Sequence, residues 1–228
     1  MSHGKKTLLS WSSGKDSAWA LHRMRQDPRF KIVGLFTTFN ERYGRVNMHA
    51  TSARMLRCQA AAVGLPLREL RLPDPCPMEA YGAVMRRFLE ECVREGIECM
   101  AFGDLFLQDI RDYREQQLAG TGMEPLFPLW RLPTHALAEE MLASGLVAYV
   151  SSVDVRRLPA RFAGRRWTRE LLAEYPPECD PCGENGEAHT VVVDGPMFAR
   201  PIPARVGRII ERGGFAYADI LPIEEDEP

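Results

Sequence analysis

The chain has 228 residues, of which 45% are hydrophobic and 26% charged, a balance typical of globular proteins with a full hydrophobic core. Lys and Arg number 29 against 31 Asp and Glu, so the net charge of −2 gives no overall attraction to nucleic acid or an anionic membrane. No apolar run approaches the roughly 18 residues that span a bilayer, and residues 1–6 lack the apolar region of a signal peptide. We therefore expect a cytoplasmic protein with no nucleic-acid or membrane partner, and we leave a homo-oligomer open.

Short apolar runs alternate with longer helical patterns through the first 150 residues. In chain order the patterns predict a strand at 7–11, a helix at 17–27, a strand at 31–39, a helix at 50–63, a strand at 67–72, a helix at 78–95, a strand at 98–103, helices at 107–118 and 135–144, and a strand at 146–153. Strands that alternate with helices of this length indicate an α/β fold. We expect a Rossmann-like parallel sheet with helices on both faces.

Beyond about residue 155 the pattern changes, which divides the chain into residues 1–154 and 155–228. An Arg-rich stretch is followed by a loop rich in Pro, Cys and Gly, and then by alternating runs at 191–194 and 206–211. Alternation of this kind favours antiparallel strands with one buried face. We therefore predict a smaller C-terminal α+β region beside the parallel sheet.

The segment Ser12-Ser13-Gly14-Lys15-Asp16-Ser17 stands between the first predicted strand and helix. Unpaired N–H groups and a partial positive charge at a helix N-terminus favour a phosphate there. The serine hydroxyls add donors, Lys15 adds a positive charge, and Asp16 can hold the Mg²⁺ that accompanies a nucleotide. The segment is not a Walker A loop, because Leu9 and Asp16 occupy positions where that motif has Gly and Ser or Thr. A Ser/Gly turn that only caps the helix is the alternative.

Two motifs carry a resemblance to a known family. The SSGKDS segment resembles the SGGKDS PP-loop of ATP pyrophosphatases in the adenine nucleotide alpha hydrolase superfamily, with Ser13 at the position of a glycine. The segment 180–187, DPCGENGE, resembles the GE-x-GE segment of the diphthine–ammonia ligase family. Shorter matches at 47–49, 59–60, 64–66, 103–104, 128–130 and 195–198 extend the resemblance over about residues 8–200.

The resemblance implies an ATP-dependent amide ligase that releases AMP and pyrophosphate. Such an enzyme adenylates a carboxylate acceptor, which ammonia then attacks, and it uses ATP and Mg²⁺. The implied catalytic residues are Lys15, Asp16, Glu184 and Glu187. The implied nucleotide-binding residues are Ser12, Ser13, Gly14, Lys15, Ser17, Thr37, Thr38 and Gly103. Mg²⁺ is expected on Asp16 and Asp104, the latter because parallel sheets bind ligands at the carboxyl ends of their strands. The implied acceptor-binding residues are His49, Gly183, Glu184, Asn185, Glu187 and His189.

The acceptor stays open between a small molecule and a modified protein residue. Ala188-His189-Thr190 follows the second motif where diphthine–ammonia ligases usually have an aromatic and an acidic residue, and it is similar to a bacterial branch. Ammonia is expected from solution or from a partner, because the chain has no room for a glutaminase domain.

Two other functions compete with the ligase. One is a regulatory module that holds ATP without turnover, although such a sensor has no need for a GE-x-GE segment. The other is a PP-loop enzyme that modifies tRNA, with Cys179 and Cys182 as a reactive pair; the net charge disfavours it. A zinc site lacks its second half unless His189 and another residue join the pair. The six cysteines of the chain otherwise read as reduced thiols.

Six arginines cluster between residues 156 and 169. They could bind ATP phosphates or RNA, and Arg165 is the first of them to test, but a solvated face is the simpler interpretation.

Overall fold

The structure, a computed structural model, describes residues 4–40, 45–46 and 51–223. The strands are β1 Lys5–Ser10, β2 Phe30–Asn40, β3 Arg45–Val46, β4 Leu67–Leu72, β5 Cys99–Ala101, β6 Glu124–Leu126, β7 Val147–Asp154, β8 Ala188–Asp194, β9 Ala204–Arg212 and β10 Phe215–Pro222. The helices are α1 Lys15–Arg25, α2 Ala53–Val63, α3 Met78–Arg94, α4 Gln108–Leu118, α5 Thr134–Ala143 and α6 Arg169–Ala173, with a 3₁₀ turn at Ala160–Phe162. No helix in these ranges is long and apolar enough to cross a bilayer.

The first sheet is built on five parallel strands in the order β4-β2-β1-β5-β6, with β3 paired antiparallel to β2. Successive residues of β1 enter different cores, because side chains of a strand alternate between the two faces. Leu9 packs with α1 and α2 in one hydrophobic cluster, while Leu8 packs with α3 in the other. Both faces are therefore covered, which confirms the predicted Rossmann-like α/β fold.

Helix α2 illustrates how local signals set the element bounds. The Ser52 hydroxyl accepts a hydrogen bond from the Met55 N–H at 3.2 Å, so the helix begins at Ala53 rather than at residue 50. Gly64 ends it with a φ of 68°, a left-handed conformation that glycine adopts without strain.

A second, antiparallel sheet has the strand order β8-β7-β10-β9. The predicted antiparallel C-terminal sheet is thus confirmed, but the strand predicted at 146–153 was placed in the wrong sheet. It is observed as β7, which pairs with β8 and β10. Its apolar pattern indicates a buried strand and does not show which partner it takes. Both sheets contribute to one hydrophobic cluster, and the division of the chain after residue 154 stays a prediction.

Candidate active site

The predicted phosphate loop follows the carboxyl end of β1 and enters the first turn of α1. Gly14 precedes the helix with an extended backbone, at φ −86° and ψ 171°. The Ser17 hydroxyl donates to the Gly14 carbonyl at 3.0 Å and lies 3.2 Å from the Ser12 hydroxyl. These contacts hold the loop in one turn at the helix N-terminus, where a phosphate would meet the N–H groups of the helix.

Ser13 stands in a conformation that a side chain normally disfavours. Its φ is 74°, which is costly for a residue with a β-carbon. The buried hydroxyl lies 2.7 Å from Thr51 Oγ1, and the Ser13 carbonyl accepts from the Gln59 amide and the Val192 N–H, each at 3.0 Å. These contacts explain how serine is accommodated at the position where the PP-loop has a glycine.

Lys15 is buried beneath the second sheet and does not line the open cleft. Its ammonium donates to Asp16 Oδ2 at 2.8 Å and to the Cys182 carbonyl, and it lies 5.7 Å from the ring centre of Trp167. Burial favours the neutral amine, but the negative groups around it, Asp16 first among them, together more than offset this and raise the pKa of Lys15 above its ordinary value. Its backbone N–H donates to Thr190 Oγ1 at 3.1 Å, which fixes the loop against β8.

A cleft of about 300 Å³ opens between the phosphate loop, the carboxyl end of β5, α4 and the segment 182–189. From the predicted nucleotide and metal set, it is lined by Ser12, Asp16, Ser17, Gly103 and Asp104. From the predicted acceptor set, it is lined by Gly183, Glu184 and His189. The structure therefore brings together two motifs that are far apart in the sequence.

Gly103 permits the close approach of β5 to the phosphate loop. A β-carbon at this position would lie 2.9 Å from the Asp16 carbonyl carbon and from the Ser17 backbone nitrogen, closer than real β-carbons come. Because Gly103 has no side chain, the next residue, Asp104, can line the same cleft as Asp16. Gly103 thus supports the site by close packing of backbone against backbone.

Asp16 and Asp104 each carry a buried carboxylate oxygen, Oδ1 and Oδ2 respectively, with no hydrogen-bond partner in the described part of the chain. Burial raises the pKa of both carboxyls, and the charge of Asp16 adds to the increase at Asp104. A cation bound between them would remove both penalties. The described residues contain no cluster of three or more metal-ligating side chains. Two carboxylates nevertheless fit Mg²⁺, which is usually held by one or two carboxylates together with the phosphates of its substrate.

Glu184 faces the cleft and is held by hydrogen bonds of both its side chain and its main chain. Its Oε1 accepts from the Leu105 N–H at 2.8 Å, and its own N–H donates to Asp180 Oδ2 at 2.9 Å. Burial raises the pKa of Glu184 to about 7, so its carboxyl can gain or lose a proton near neutral pH. Burial, with a contribution from the Lys15 charge, lowers the pKa of His189 to about 4, which keeps that imidazole neutral.

Glu187 lies behind the cleft and is fully buried. Its Oε1 accepts hydrogen bonds from Arg157 at 3.1 Å, from the Asp180 N–H at 3.2 Å and from the Asn185 amide at 3.1 Å. These contacts hold the glycine-rich turn together. The predicted catalytic and acceptor-binding roles of Glu187, and the acceptor-binding role of Asn185, stay predictions.

The remaining predicted residues lie away from the cleft or outside the described residues. Thr37 and Thr38 are on β2, in register with Glu69 and Leu70 of β4, on the opposite side of β1 from β5. Their role in adenine binding stays a prediction. His49 falls in a part of the chain that the structure does not describe.

Cys179 and Cys182 are buried free thiols. Their sulfurs lie 3.8 Å from the Arg157 carbonyl and 3.5 Å from the Thr134 carbonyl, respectively. Burial raises the pKa of both thiols, which disfavours the thiolate that sulfur transfer requires, and the described residues hold no group of three or more metal-ligating side chains that a zinc site would need. The pair is therefore best explained as structural.

The arginine cluster at 156–169 forms ion pairs with neighbouring acids. Arg165 lies 2.6 Å from Glu174, Arg156 lies 2.7 Å from Asp154, and Arg161, Arg157 and Arg169 are paired with Glu174, Glu187 and Glu139. The cluster does not line the cleft. This arrangement agrees with the interpretation as a solvated face.

Several residues of the site had no clear signal in the sequence. Gln59 matched the family but suggested no function, and it bridges Trp11, Ser13 and Val192. Arg114 lies in an ordinary amphipathic helix, yet its guanidinium lines the cleft. Its distance in sequence from either motif gives no sign of this role, because its position depends on the packing of α4 against β6 and on its contact with Phe102.

Comparison with models of known protein families shows which family the chain belongs to. The model of the diphthamide synthase N-terminal domain matches residues 5–125, and that of the C-terminal domain matches residues 133–220. The chain belongs to this family. It is 30% identical to the diphthine–ammonia ligase of Danio rerio, over 71% of this chain and 69% of that protein. It is 26% identical to the diphthine–ammonia ligase of Schizosaccharomyces pombe, over 58% of this chain but 23% of that protein.

Family membership confirms three predictions made from the sequence: the family itself, the α/β nucleotide-binding fold and an ATP-dependent ligase as the class of enzyme.

Proposed function

We propose that this protein transfers AMP from ATP to a carboxylate acceptor and then joins ammonia to the activated carboxyl group. One observation carries the proposal: Asp16 and Asp104 of the nucleotide region share a cleft with Glu184 of the second motif. A site for nucleotide alone would not need the second motif within reach of the phosphates. A ligase requires both substrates in one cleft, because its two reactions occur at adjacent atoms.

In the first step an acceptor carboxylate oxygen attacks the α-phosphorus of ATP. The bond from that phosphorus to the bridging oxygen breaks, and pyrophosphate leaves. The N-terminus of α1 stabilises the negative charge that grows on the phosphates, and the buried ammonium of Lys15 acts indirectly, by holding the Asp16 carboxylate. Mg²⁺ held by Asp16 and Asp104 would neutralise phosphate charge when bound.

In the second step ammonia attacks the acyl carbon and AMP leaves. Ammonium, the main form at neutral pH, must first lose a proton to become ammonia, and the nitrogen loses a second proton to solvent as the amide forms and AMP leaves. Glu184 is suited to accept the first proton, because its pKa of about 7 allows exchange at working pH. His189 is neutral and lies in the same cleft, so it can hydrogen-bond the acceptor or the incoming nitrogen.

The acceptor, the ammonia source and the location are parts of the same proposal. The curated relatives are named for diphthine, and for this chain we propose a carboxylate of a small molecule or of a modified protein residue. Ammonia comes from solution or from a partner, and the reaction takes place in the cytoplasm.

Product identification with labelled ATP tests the proposal. The protein is incubated with α- and γ-labelled ATP, Mg²⁺, ammonium and a cell extract of metabolites and proteins. Extract-dependent formation of AMP and pyrophosphate is expected. Formation of ADP would contradict a transfer of AMP, and ATP binding without turnover would favour the regulatory module.

Substitution of the loop carboxylate gives the matched test. Asp16→Ala is expected to abolish AMP formation, because the phosphates lose a carboxylate that holds Mg²⁺, while circular dichroism shows an intact fold. Asp109→Ala removes an exposed carboxylate from the first turn of α4 and should keep full activity. Unchanged activity of Asp16→Ala would exclude this role.

A further inference from the structure

Arg114 of α4 places a guanidinium in the wall of the cleft. The group lies 5.0 Å from the ring centre of Phe102, and its Nε is 3.7 Å from Asp104 Oδ2. That separation allows an ion pair but is too long for a hydrogen bond. The Nε is buried and has no hydrogen-bond partner among the described residues. A buried donor without a partner is costly and suggests that a ligand completes it.

The charges around Arg114 are mostly acidic. Asp16, Asp104 and Glu184 line the same cleft, and His189 is neutral there. Within the described chain, Arg114 is the one Lys or Arg that lines this cleft. Among the side chains that line the cleft, the acids would therefore repel an anion that enters, and this guanidinium would attract it.

We propose that Arg114 binds an oxyanion of the reaction, either a phosphate of ATP or the carboxylate of the acceptor. The inference rests on the proposed function, in which these two groups react with each other. The planar guanidinium can donate two parallel hydrogen bonds to either oxyanion. Contact with Phe102 and Asp104 holds it in place, so little side-chain freedom is lost on binding.

Arg111 provides a matched control on the same helix. Its guanidinium also packs on aromatic rings, 4.7 Å from Phe127 and 4.8 Å from Trp130, and pairs with Glu115 at 2.7 Å. It does not line the cleft. Arg111→Gln therefore removes an equivalent charge and aromatic contact without touching the proposed ligand.

Binding of Mg·ATP, pyrophosphate and adenosine is measured by titration calorimetry for the parent protein, Arg114→Gln, Arg114→Lys and Arg111→Gln. If the oxyanion is a phosphate, Arg114→Gln weakens binding of Mg·ATP or pyrophosphate tenfold or more and leaves adenosine binding unchanged. If it is the acceptor carboxylate, Mg·ATP binding is unchanged, and the amount of extract that half-saturates AMP formation rises tenfold or more. In either case Arg114→Lys should bind more tightly than Arg114→Gln but more weakly than the parent protein, since lysine retains the charge without the planar arrangement of donors.

The inference is overturned if both Arg114 variants keep parental Mg·ATP affinity and extract dependence. It is also overturned if Arg111→Gln loses as much as Arg114→Gln, or if adenosine binding falls equally. Failure of the proposed function itself looks different, because the parent protein would then bind no Mg·ATP or would form no AMP.

Discussion

Gly103 is the residue at which backbone packing most directly positions the candidate site. We expect Gly103→Ala to reduce both AMP formation and Mg·ATP affinity, because the new β-carbon would push the end of β5 away from Asp16 and Ser17. Overpacking of this kind costs about 1–3 kcal/mol of stability. The measurements are labelled-ATP turnover and urea unfolding.

Gly82→Ala is the control for this substitution. Gly82 lies within α3, where a β-carbon would meet only the flexible end of Arg86 at 3.4 Å. This change should leave activity intact and raise stability by about 0.5–1 kcal/mol. Equal behaviour of the two variants would contradict the close approach described for Gly103.

Glu184 makes the stability of the protein depend on pH. Burial raises its pKa from 4.5 to about 7, so between these values the folded protein binds a proton that the unfolded chain has lost. The free energy of unfolding therefore falls as pH rises through that range. Glu184→Gln carries no charge, so it should be more stable than the parent at pH 8, by about 3 kcal/mol at most, and equal to it near pH 4. Thermal melting across this range measures the difference.

The exposed Glu178 in the same loop supplies the control, and Glu178→Gln should show no comparable gain at pH 8. If Glu184→Gln is no more stable than the parent protein at pH 8, the Glu184 carboxyl is not desolvated in the folded protein.

The position of the first motif was predictable because it depends on neighbours in the sequence. Asp16 and Ser17 are at the start of a helix in any strand–loop–helix unit, so their place at a helix N-terminus follows from local structure, while their role in phosphate binding stays a prediction. Glu187 was predicted together with Glu184 because both belong to the second motif. Their different surroundings, one behind the cleft and one in its wall, arise from tertiary packing that spacing does not reveal.

Helix α2 joins β8 and the phosphate loop through the side chain of Gln59. Its side chain is buried, accepts from the Trp11 indole at 2.9 Å and donates to the Ser13 carbonyl at 3.0 Å and the Val192 carbonyl at 2.6 Å. We expect Gln59→Leu to lower the free energy of unfolding by about 2–4 kcal/mol, because three buried polar groups each lose a hydrogen bond. Urea unfolding gives the value.

Gln116→Leu, at an exposed position of α4, should change stability by no more than about 0.5 kcal/mol. If Gln59→Leu changes the free energy of unfolding as little as Gln116→Leu does, the bridging role of Gln59 is contradicted.

The strands that the sequence pattern does not predict correctly share physical causes. Strand β6 has three residues, one of them Pro125, which is too short and too irregular for an apolar period. Strand β10 follows directly on the Gly213-Gly214 turn and alternates buried with half-buried residues, a pattern readable only once its partner β9 is known. Strand β7 was found, but its assignment to the parallel sheet was wrong, because a single strand pattern carries no direction of pairing.

The second sheet closes one side of the nucleotide region. Val192 of β8 bonds the Ser13 carbonyl, and the Cys182 carbonyl accepts from Lys15. Residues of both sheets contribute to the same hydrophobic cluster. The cleft therefore lies where the two parts of the chain meet, and its acidic wall is assembled from both.

The structure of a complex with Mg²⁺ and an ATP analogue whose α–β bridge resists cleavage is the most direct test of the nucleotide site. The account predicts the phosphates against residues 12–17, with electron density for a metal ion contacting Asp16 and Asp104. Phosphates bound elsewhere, with this loop and both carboxylates free of ligand, would contradict it.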